Sequence, residues 1–298
     1  MRRGFRILKR AALAFYSDQG THHAAALTYY CLMCLFPAAL IGVSLLGLVG
    51  QYPRTYLAIL DYLRDVAPEE TLDLLDSSLR SVLRNKGSAA GALALSVAVA
   101  FYGTTGVLEA ARRAFNVVFE VDAGRGLVRR KAVDVASTLV LTTLVLTALV
   151  LMFVGGGLAE EVFGLIGLGT TAADIWNVAR WPGAIAVAIL LFSWLYYVTP
   201  DVRQRGLLWV VPGAVAGVAI WIAVSVGFSA YIANIADVAA FYGAFASVIV
   251  LLVWVWLSNV ALFFGAELNA ELEREKELTE GVALADTLDR PSRGGEPG

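Results

Sequence analysis

The chain has 298 residues, of which 58% are hydrophobic and 16% are charged, and its mean hydropathy is +0.70. Soluble domains average about 45–50% apolar and about 25% charged residues, so the composition excludes an ordinary soluble enzyme and a disordered chain. The net charge of −2 provides no overall basic excess for binding nucleic acid, and two cysteines cannot build a disulfide framework. The composition therefore indicates a multi-pass membrane protein.

The first predicted element is a basic amphipathic helix within residues 1–18. Five of the first ten residues are lysine or arginine, and apolar residues recur between them at helical spacing: Phe5, Leu8, Ala12 and Phe15. This pattern is typical of helices that lie on an anionic membrane surface, and a plain charged tail is the alternative. The apolar piece before Asp18 is too short for the core of a signal peptide.

Six stretches without Asp, Glu, Lys or Arg follow, each 20 to 35 residues long. About 20 mostly apolar residues cross a hydrocarbon core of about 30 Å, and these stretches lack the alternation of β-barrel strands. The sequence therefore predicts an all-α membrane domain of six transmembrane helices over residues 19–270. The predicted spans are about residues 24–49, 88–108, 135–157, 181–200, 207–232 and 241–266.

Two polar segments flank the predicted spans. Apolar residues repeat at helical spacing within 54–86, which predicts an external amphipathic helix that lies on the outer bilayer surface or caps the bundle. After the last span, residues 271–280 read as a charged extension of the helix, and the composition from Gly281 onward is typical of disorder. Residues 271–298 are therefore predicted to form a charged, largely disordered cytoplasmic tail.

The basic residues predict the orientation. With six spans, both termini and the loops at 109–134 and around residue 204 share one side, which holds 17 of the 23 lysines and arginines. Because Lys and Arg accumulate on the cytoplasmic side, both termini are predicted to be cytoplasmic, in a bacterial inner membrane. The lipid bilayer is the first expected partner.

Ionisable residues gather at the span ends on this predicted cytoplasmic side: Asp18, His22, His23, Glu109, Asp201, Arg203 and Glu267. Ionisable groups at membrane depth are the default functional candidates, so these side chains could line a polar vestibule. The alternative is that each charge marks only where a helix leaves the lipid. Glu109 also has helical partners three and four residues further on, at Arg112 and Arg113.

Three prolines are candidate helix kinks: Pro37, Pro200 and Pro212. A proline inside a membrane helix frees a backbone carbonyl, although such a kink more often serves packing than a substrate site. Small residues in three segments predict close approaches between helices: Gly103–Gly106, Gly155–Gly157 and Gly213–Gly217.

No catalytic, metal or cofactor site is predicted. Cys31 and Cys34 form a Cys-x-x-Cys pair inside an apolar stretch, where they read as small hydrophobic residues because no second pair completes a zinc site. His22 and His23 are adjacent, so on a helix they point about 100° apart and cannot face one ion well.

Several segments together resemble the YihY/virulence factor BrkB family, a set of bacterial inner-membrane proteins with six spans. The resemblance runs in order over about residues 10–275 and includes Ala24–Tyr30, Cys34–Pro37, Ala114–Asn116, Tyr196–Pro200, Trp209–Gly213, Tyr242–Phe245, Trp254–Leu257 and Gly265–Asn269. The family supplies no catalytic residues to carry over, and some members have been labelled ribonuclease BN. Cys34 stands where the family usually has a small hydroxyl residue.

The predicted function is that of a non-enzymatic membrane protein that handles or transports a small solute or lipid. A structural or interaction role in the cell envelope is the first alternative. A ribonuclease is the alternative of a different class, and it is disfavoured because the chain lacks clustered metal ligands and no nucleic-acid partner is expected.

Overall fold

A computed structural model describes residues 2–49, 57, 80, 86–121, 126–153, 163, 169–202, 206–234 and 245–280. Over these residues the chain is almost entirely helical, without a β-strand, which confirms the all-α class. The helices are α1 (Arg2–Ser17), α2 (Gly20–Val49), α3 (Lys86–Val118), α4 (Leu127–Phe153), α5 (Gly169–Val198), α6 (Leu207–Asn234) and α7 (Phe245–Glu280).

Four of the described helices are long and apolar enough to cross a membrane: Val128–Met152 in α4, Thr171–Val198 in α5, Leu207–Ala233 in α6 and Val248–Lys276 in α7. Helix α3 contributes a shorter apolar segment, Ala90–Ala100. Helix α2 covers the first predicted span and contains no Asp, Glu, Lys or Arg. The protein is therefore a helical membrane protein with four candidate spans, and the count of six stays a prediction.

The chain divides into two compact units. Unit 1 comprises Met1–Ala24, Ala111–Ser225 and Ser258–Gly298, whereas unit 2 comprises Ala25–Ala110 and Val226–Leu257. In each unit, segments that are far apart in sequence pack together. The core of either unit therefore depends on contacts that no local sequence pattern reveals.

The middle of α7 forms the core of unit 1. Its residues from Ala261 to Ala270 are almost all buried, because other helices pack around them. The Tyr196 hydroxyl of α5 donates a hydrogen bond of 2.6 Å to the Leu262 carbonyl oxygen. The ring of Phe115 in α3 lies 5.2 Å from that of Phe263, measured between centroids. Helices α3 and α5 are thereby fixed against α7.

Glycines allow α6 to approach α7 closely, as the spacing of Gly213 and Gly217 predicts. A Cβ atom added to Gly265 would lie 2.7 Å from the Cα atom of Gly217 and 3.1 Å from the Gly213 carbonyl oxygen. Further along the same pair of helices, the Trp221 indole donates a hydrogen bond of 3.0 Å to the Ser258 hydroxyl. Only glycine leaves room for the backbones at the first of these crossings.

Helix α1 lies antiparallel against the C-terminal half of α7. The Arg6 guanidinium lies 3.9 Å from the Glu275 carboxylate, and at the other end of α1 the Phe15 and Phe264 rings are 5.7 Å apart. The predicted helix is therefore present. Its buried face consists of Ile7 and Ala11, which pack on Leu268, whereas the predicted apolar stripe stays largely exposed, as at Phe5 and Leu8.

In unit 2, α2 and α3 approach through glycines of α3. A Cβ atom added to Gly103 would lie 2.8 Å from the Cys34 sulfur, and one added to Gly106 would lie 2.6 Å from the Tyr30 ring. Cys34 therefore fills space beside a glycine, which agrees with its interpretation as a small hydrophobic residue.

The three predicted kink prolines occupy different places. Pro37 lies within α2 and Pro212 within α6, whereas Pro200 follows the end of α5 at Val198. A further proline that the sequence analysis did not single out, Pro182, lies within α5. The amphipathic helix predicted in 54–86 falls almost entirely outside the described residues, as do residues 155–157, Arg203 and the tail beyond Glu280.

Candidate functional site

Glu267 lies in the core of unit 1, with 2% of its surface exposed. Its Oε1 atom has no hydrogen-bond partner among the described residues. Leaving a buried polar group unsatisfied costs about 1–3 kcal/mol, and such groups in native structures call for an explanation. The position of Glu267 is thus energetically unfavourable, which makes this residue the centre of the candidate site.

Three further carboxylates interact electrostatically with Glu267: Asp18, Glu120 and Glu271. We refer to these four residues as the acid cluster. Arg274 lies beside the acid cluster. It forms an ion pair with Glu120, and its Nη1 atom lies 3.3 Å from the Glu271 Oε1 atom. Arg10 of α1 also lies 4.0 Å from the Glu271 carboxylate. Two arginines beside four acids still leave an excess of negative charge when all the carboxyls are ionised.

Two tight turns bring the acids of other elements to α7. Gln19 follows Asp18 at the junction of α1 and α2, and Glu120 follows the end of α3; each has a φ of 54°. Non-glycine residues seldom adopt this left-handed conformation, which costs about 1–2 kcal/mol. Strained backbone of this kind concentrates at functional sites, so both turns support a role for the cluster beyond packing.

Asp18 lies at the junction of α1 and α2, outside the candidate spans, and is partly buried. Its Oδ1 atom accepts a hydrogen bond of 3.1 Å from the Ser17 hydroxyl. Partial burial raises the pKa of Asp18, and the nearby Glu120 adds to this effect, whereas the Ser17 hydrogen bond opposes it. Asp18 therefore holds a proton at higher pH than a free aspartate does.

The structure separates the two adjacent histidines. His23 is half-buried and lies close enough to Asp18 to interact with it electrostatically, and its ring is 6.4 Å from that of Phe263. His22 is exposed on the neighbouring face of α2. Of the two, only His23 borders the acid cluster.

Asp201 has a different environment from Glu267. It is fully buried, and its backbone N–H donates a hydrogen bond of 2.8 Å to the Asn116 side-chain oxygen. The Asn116 amide in turn donates to the Asp201 carboxylate at 3.3 Å. One turn earlier in α3, Arg112 forms a buried ion pair with Asp134 of α4. These contacts hold α3 against α4 and against the turn that follows α5.

Two of the predicted site residues, Glu109 and Arg203, are not assigned to this cluster. Glu109 belongs to unit 2, whereas the acid cluster belongs to unit 1. Arg203 lies outside the described residues. The structure thus brings Asp18, His23 and Glu267 together and gives Asp201 a separate set of partners.

Sequence analysis missed Glu120, Glu271 and Arg274. Glu271 and Arg274 read as part of a solvated extension of the last span, yet Glu271 is 4% exposed because α1 and the end of α3 cover this part of α7. The spacing of three between the two residues was the available signal, since it places them on one helix face. Glu120 reaches the cluster through the turn that follows α3, and no sequence pattern predicts that turn.

A groove opens between α1 and α7 beside the acid cluster, with a volume of about 560 Å³. Polar residues on its wall include Arg10, Ser17, Glu271 and Arg274. Glu271 and Arg274 contact both the groove and the interior of the cluster, and Ser17 donates to Asp18. The groove is therefore the approach from solution to the acids.

The chemistry available at this site follows from its side chains. In the part of the chain that the structure describes, no three His, Cys, Asp or Glu side chains are arranged to hold a metal ion. The carboxyls can instead bind protons or attract a positively charged group. The acid cluster is thus a candidate site for binding protons or positively charged groups.

Comparison with known proteins places this fold in a family. The family model for virulence factor BrkB matches residues 11–287. The chain belongs to the virulence factor BrkB family. This BrkB-family match confirms the resemblance seen in the sequence, and it covers every residue of the acid cluster.

Relatives of this BrkB-family chain carry two kinds of name. A protein of Bacillus subtilis (strain 168) named as ribonuclease-like, YfkH, is 27% identical over 271 residues, covering 91% of this chain and 96% of its own length. A UPF0761 membrane protein of Xanthomonas axonopodis pv. citri (strain 306) is 26% identical over 277 residues, covering 91% of this chain. The present chain spans 62% of that relative. No solved structure matches the chain.

Proposed function

We propose that this BrkB-family protein is a non-enzymatic, six-span protein of the bacterial inner membrane that moves a small solute or lipid. Its two termini and the acid cluster lie on the cytoplasmic side in this proposal, because the basic residues concentrate there. The observation that carries the proposal is the buried carboxyl of Glu267, one oxygen of which lacks a hydrogen-bond partner among the described residues.

The charge of the site supports a binding role. An acidic cluster reached by an open groove attracts ligands that carry a positive charge or several hydrogen-bond donors, because electrostatic complementarity favours such partners. Buried ionisable groups in membrane proteins also mark substrate and ion pathways. A purely structural protein gains nothing from the strained turns and the unpaired carboxyl oxygen, both of which lower stability.

Reconstitution into phospholipid vesicles tests this proposal. We expect the purified protein to accelerate either the transbilayer movement of a fluorescent phospholipid or the uptake of a labelled small organic cation. Glu267→Gln should abolish the flux, whereas Asp174→Asn, which changes an exposed acid of α5, should retain it. A wild-type protein that moves neither probe would favour the structural alternative.

The name of the Bacillus relative makes RNA cleavage the second function to test. We expect no cleavage by the purified protein, because His22 is exposed while His23 packs against Phe263, so the two rings do not converge on one phosphate. The assay uses RNA with and without chelator, together with a His22→Ala/His23→Ala variant. Cleavage that copurifies with the protein and is lost in that variant would establish the nuclease.

A further inference from the structure

The environment of Glu267 favours a neutral carboxyl. The residue is 2% exposed, so the carboxylate is largely removed from water, and its Oε1 atom receives no hydrogen bond from the described residues. A buried carboxylate without compensation binds a proton in preference to staying ionised. Within the acid cluster, Glu267 is therefore the member best placed to carry a proton.

Charged groups from every element around Glu267 bear on this conclusion. The turn between α1 and α2 presents Asp18, the end of α3 presents Glu120, and the next turn of α7 presents Glu271, so three acids repel a charge on Glu267. The opposing positive charge comes from Arg274, which is shared with Glu120 and Glu271 through ion pairs. Adding a proton to Glu267 removes the repulsion and leaves these pairs intact.

A chain of groups joins Glu267 to the solution. Ser17 lies on the wall of the groove and donates its hydroxyl hydrogen to Asp18 at 3.1 Å. Asp18 lies close enough to Glu267 to interact with it electrostatically, and its raised pKa makes it able to accept and release a proton. The groove is open at the surface, whereas Glu267 is enclosed, and Asp18 links the two through its hydrogen bond with Ser17 on the groove wall.

We propose that Glu267 is a proton-binding site that is loaded from the groove between α1 and α7 through Asp18. A hydronium ion in the groove transfers a proton to the Asp18 carboxylate and leaves as water. The proton then passes to Glu267 through a water molecule that bridges the two carboxyls. The O–H bond on Asp18 breaks as the water accepts this proton, the water gives one of its own protons to Glu267, where a new O–H bond forms, and Asp18 returns to its ionised form. No oxidant, reductant or other reactant takes part.

The proton site itself does not depend on the proposed function. Only the process that the bound proton drives rests on that proposal. If the protein moves a solute or lipid, the proton on Glu267 couples that movement to the pH of the solution in the groove. The site itself is measurable without any flux, because it requires only that one buried carboxyl binds and releases a proton.

Infrared difference spectroscopy of the full-length protein in lipid nanodiscs tests the site directly. As the pH is lowered, we expect the C=O stretching band of a protonated, poorly hydrated carboxyl to appear. The band should be missing in Glu267→Gln, should remain in Asp174→Asn, and should shift in Glu267→Asp, which retains an ionisable carboxyl. The last variant decides the assignment if the glutamine variant fails to fold.

Exchange into D2O tests the route. The band of Glu267 should shift as deuterium replaces the proton, and this shift should be slower in Asp18→Asn than in the wild type. The Asp174→Asn protein should exchange at the wild-type rate. Equal rates in Asp18→Asn and wild type would overturn the assignment of Asp18, and a band that persists in folded Glu267→Gln would overturn the site.

The two proposals fail in distinguishable ways. A band that depends on Glu267, together with the absence of flux for every probe, would retain the proton site and reject transport. Flux that is independent of pH, in a protein without such a band, would retain transport and reject the proton site.

Discussion

The close contact between α6 and α7 predicts that Gly265→Ala destabilises the protein strongly. The added Cβ atom would lie 2.7 Å from the Cα atom of Gly217 and 2.5 Å from the Tyr196 hydroxyl oxygen. Carbon atoms in contact are normally about 3.5–4.0 Å apart, so the shortfall to Gly217 is about 1 Å. Backbone lies on both sides of that contact, so whole helices must move to relieve it.

Two contributions determine how much Gly265→Ala lowers the free energy of unfolding. Overpacking of a well-packed interior typically costs about 1–3 kcal/mol. Displacement of the Tyr196 hydroxyl also weakens its hydrogen bond of 2.6 Å to the Leu262 carbonyl oxygen, which is worth about 0.5–1.5 kcal/mol net. Together these contributions amount to about 2–4 kcal/mol. Each kcal/mol lowers the thermal unfolding midpoint by about 2–4 °C in chains of 150–250 residues, so the midpoint of Gly265→Ala should fall by roughly 4–16 °C.

Thermal unfolding in detergent, followed by tryptophan fluorescence, measures this change. Gly227→Ala is the matched control, because a Cβ atom added at Gly227 in α6 meets nothing within 4 Å. Alanine is favoured over glycine in a helix by about 1 kcal/mol, so the control should retain or gain stability. Similar midpoints for Gly265→Ala and Gly227→Ala would refute the close packing of α6 on α7.

Three further predictions concern other parts of unit 1 and the topology. Arg112→Leu alone or Asp134→Leu alone should cost about 3–5 kcal/mol in thermal unfolding, because each leaves a buried charge unpaired, and the double variant should cost less than the sum. Asp18→Asn should raise the unfolding midpoint at neutral pH. The raised pKa means that ionised Asp18 disfavours the folded state above that pKa, so the gain should disappear in acid; a gain that grows in acid would contradict the assignment. In a chain without native cysteines, a single cysteine at Gly126 should react only with reagents that reach the cytoplasm, and one at Thr171 only from outside; the reverse pattern would overturn the orientation.

The sequence predicts the helices well because their signals are local. The spacing of apolar residues near the N-terminus predicts α1, and charge-free runs of sufficient length predict α4 to α7. The glycines at 213 and 217 predict a close helix contact, although the partner glycine at 265 emerges only from the fold. The spacing of apolar residues thus predicts the helices, but it does not predict which helices pack together.

The acid cluster shows why the site was harder to predict. Glu271 reads as part of a solvated tail, yet it is 4% exposed, because α1 and the end of α3 cover this part of α7. Glu120 reaches Arg274 from a position 154 residues away in sequence. Burial of a charged residue depends on such distant neighbours, so composition and periodicity cannot distinguish a buried acid from one that leaves the membrane. The position of Glu267 at a span end identifies it as a candidate in the sequence, but the sequence does not predict which residues surround it.

The packing of α1 on α7 has a consequence for synthesis. Arg10 and Glu275, which face each other across these helices at 3.5 Å, are separated by 265 residues. Ribosomes add about 5–20 residues per second, so roughly 13–53 s pass between the emergence of α1 and that of its partner. During this interval Ile7 and Ala11 lack their native partners on α7. The basic amphipathic helix α1 can bind the nearby membrane surface until α7 has been synthesised. Helix α1 is therefore made long before α7 and reaches its native contacts late.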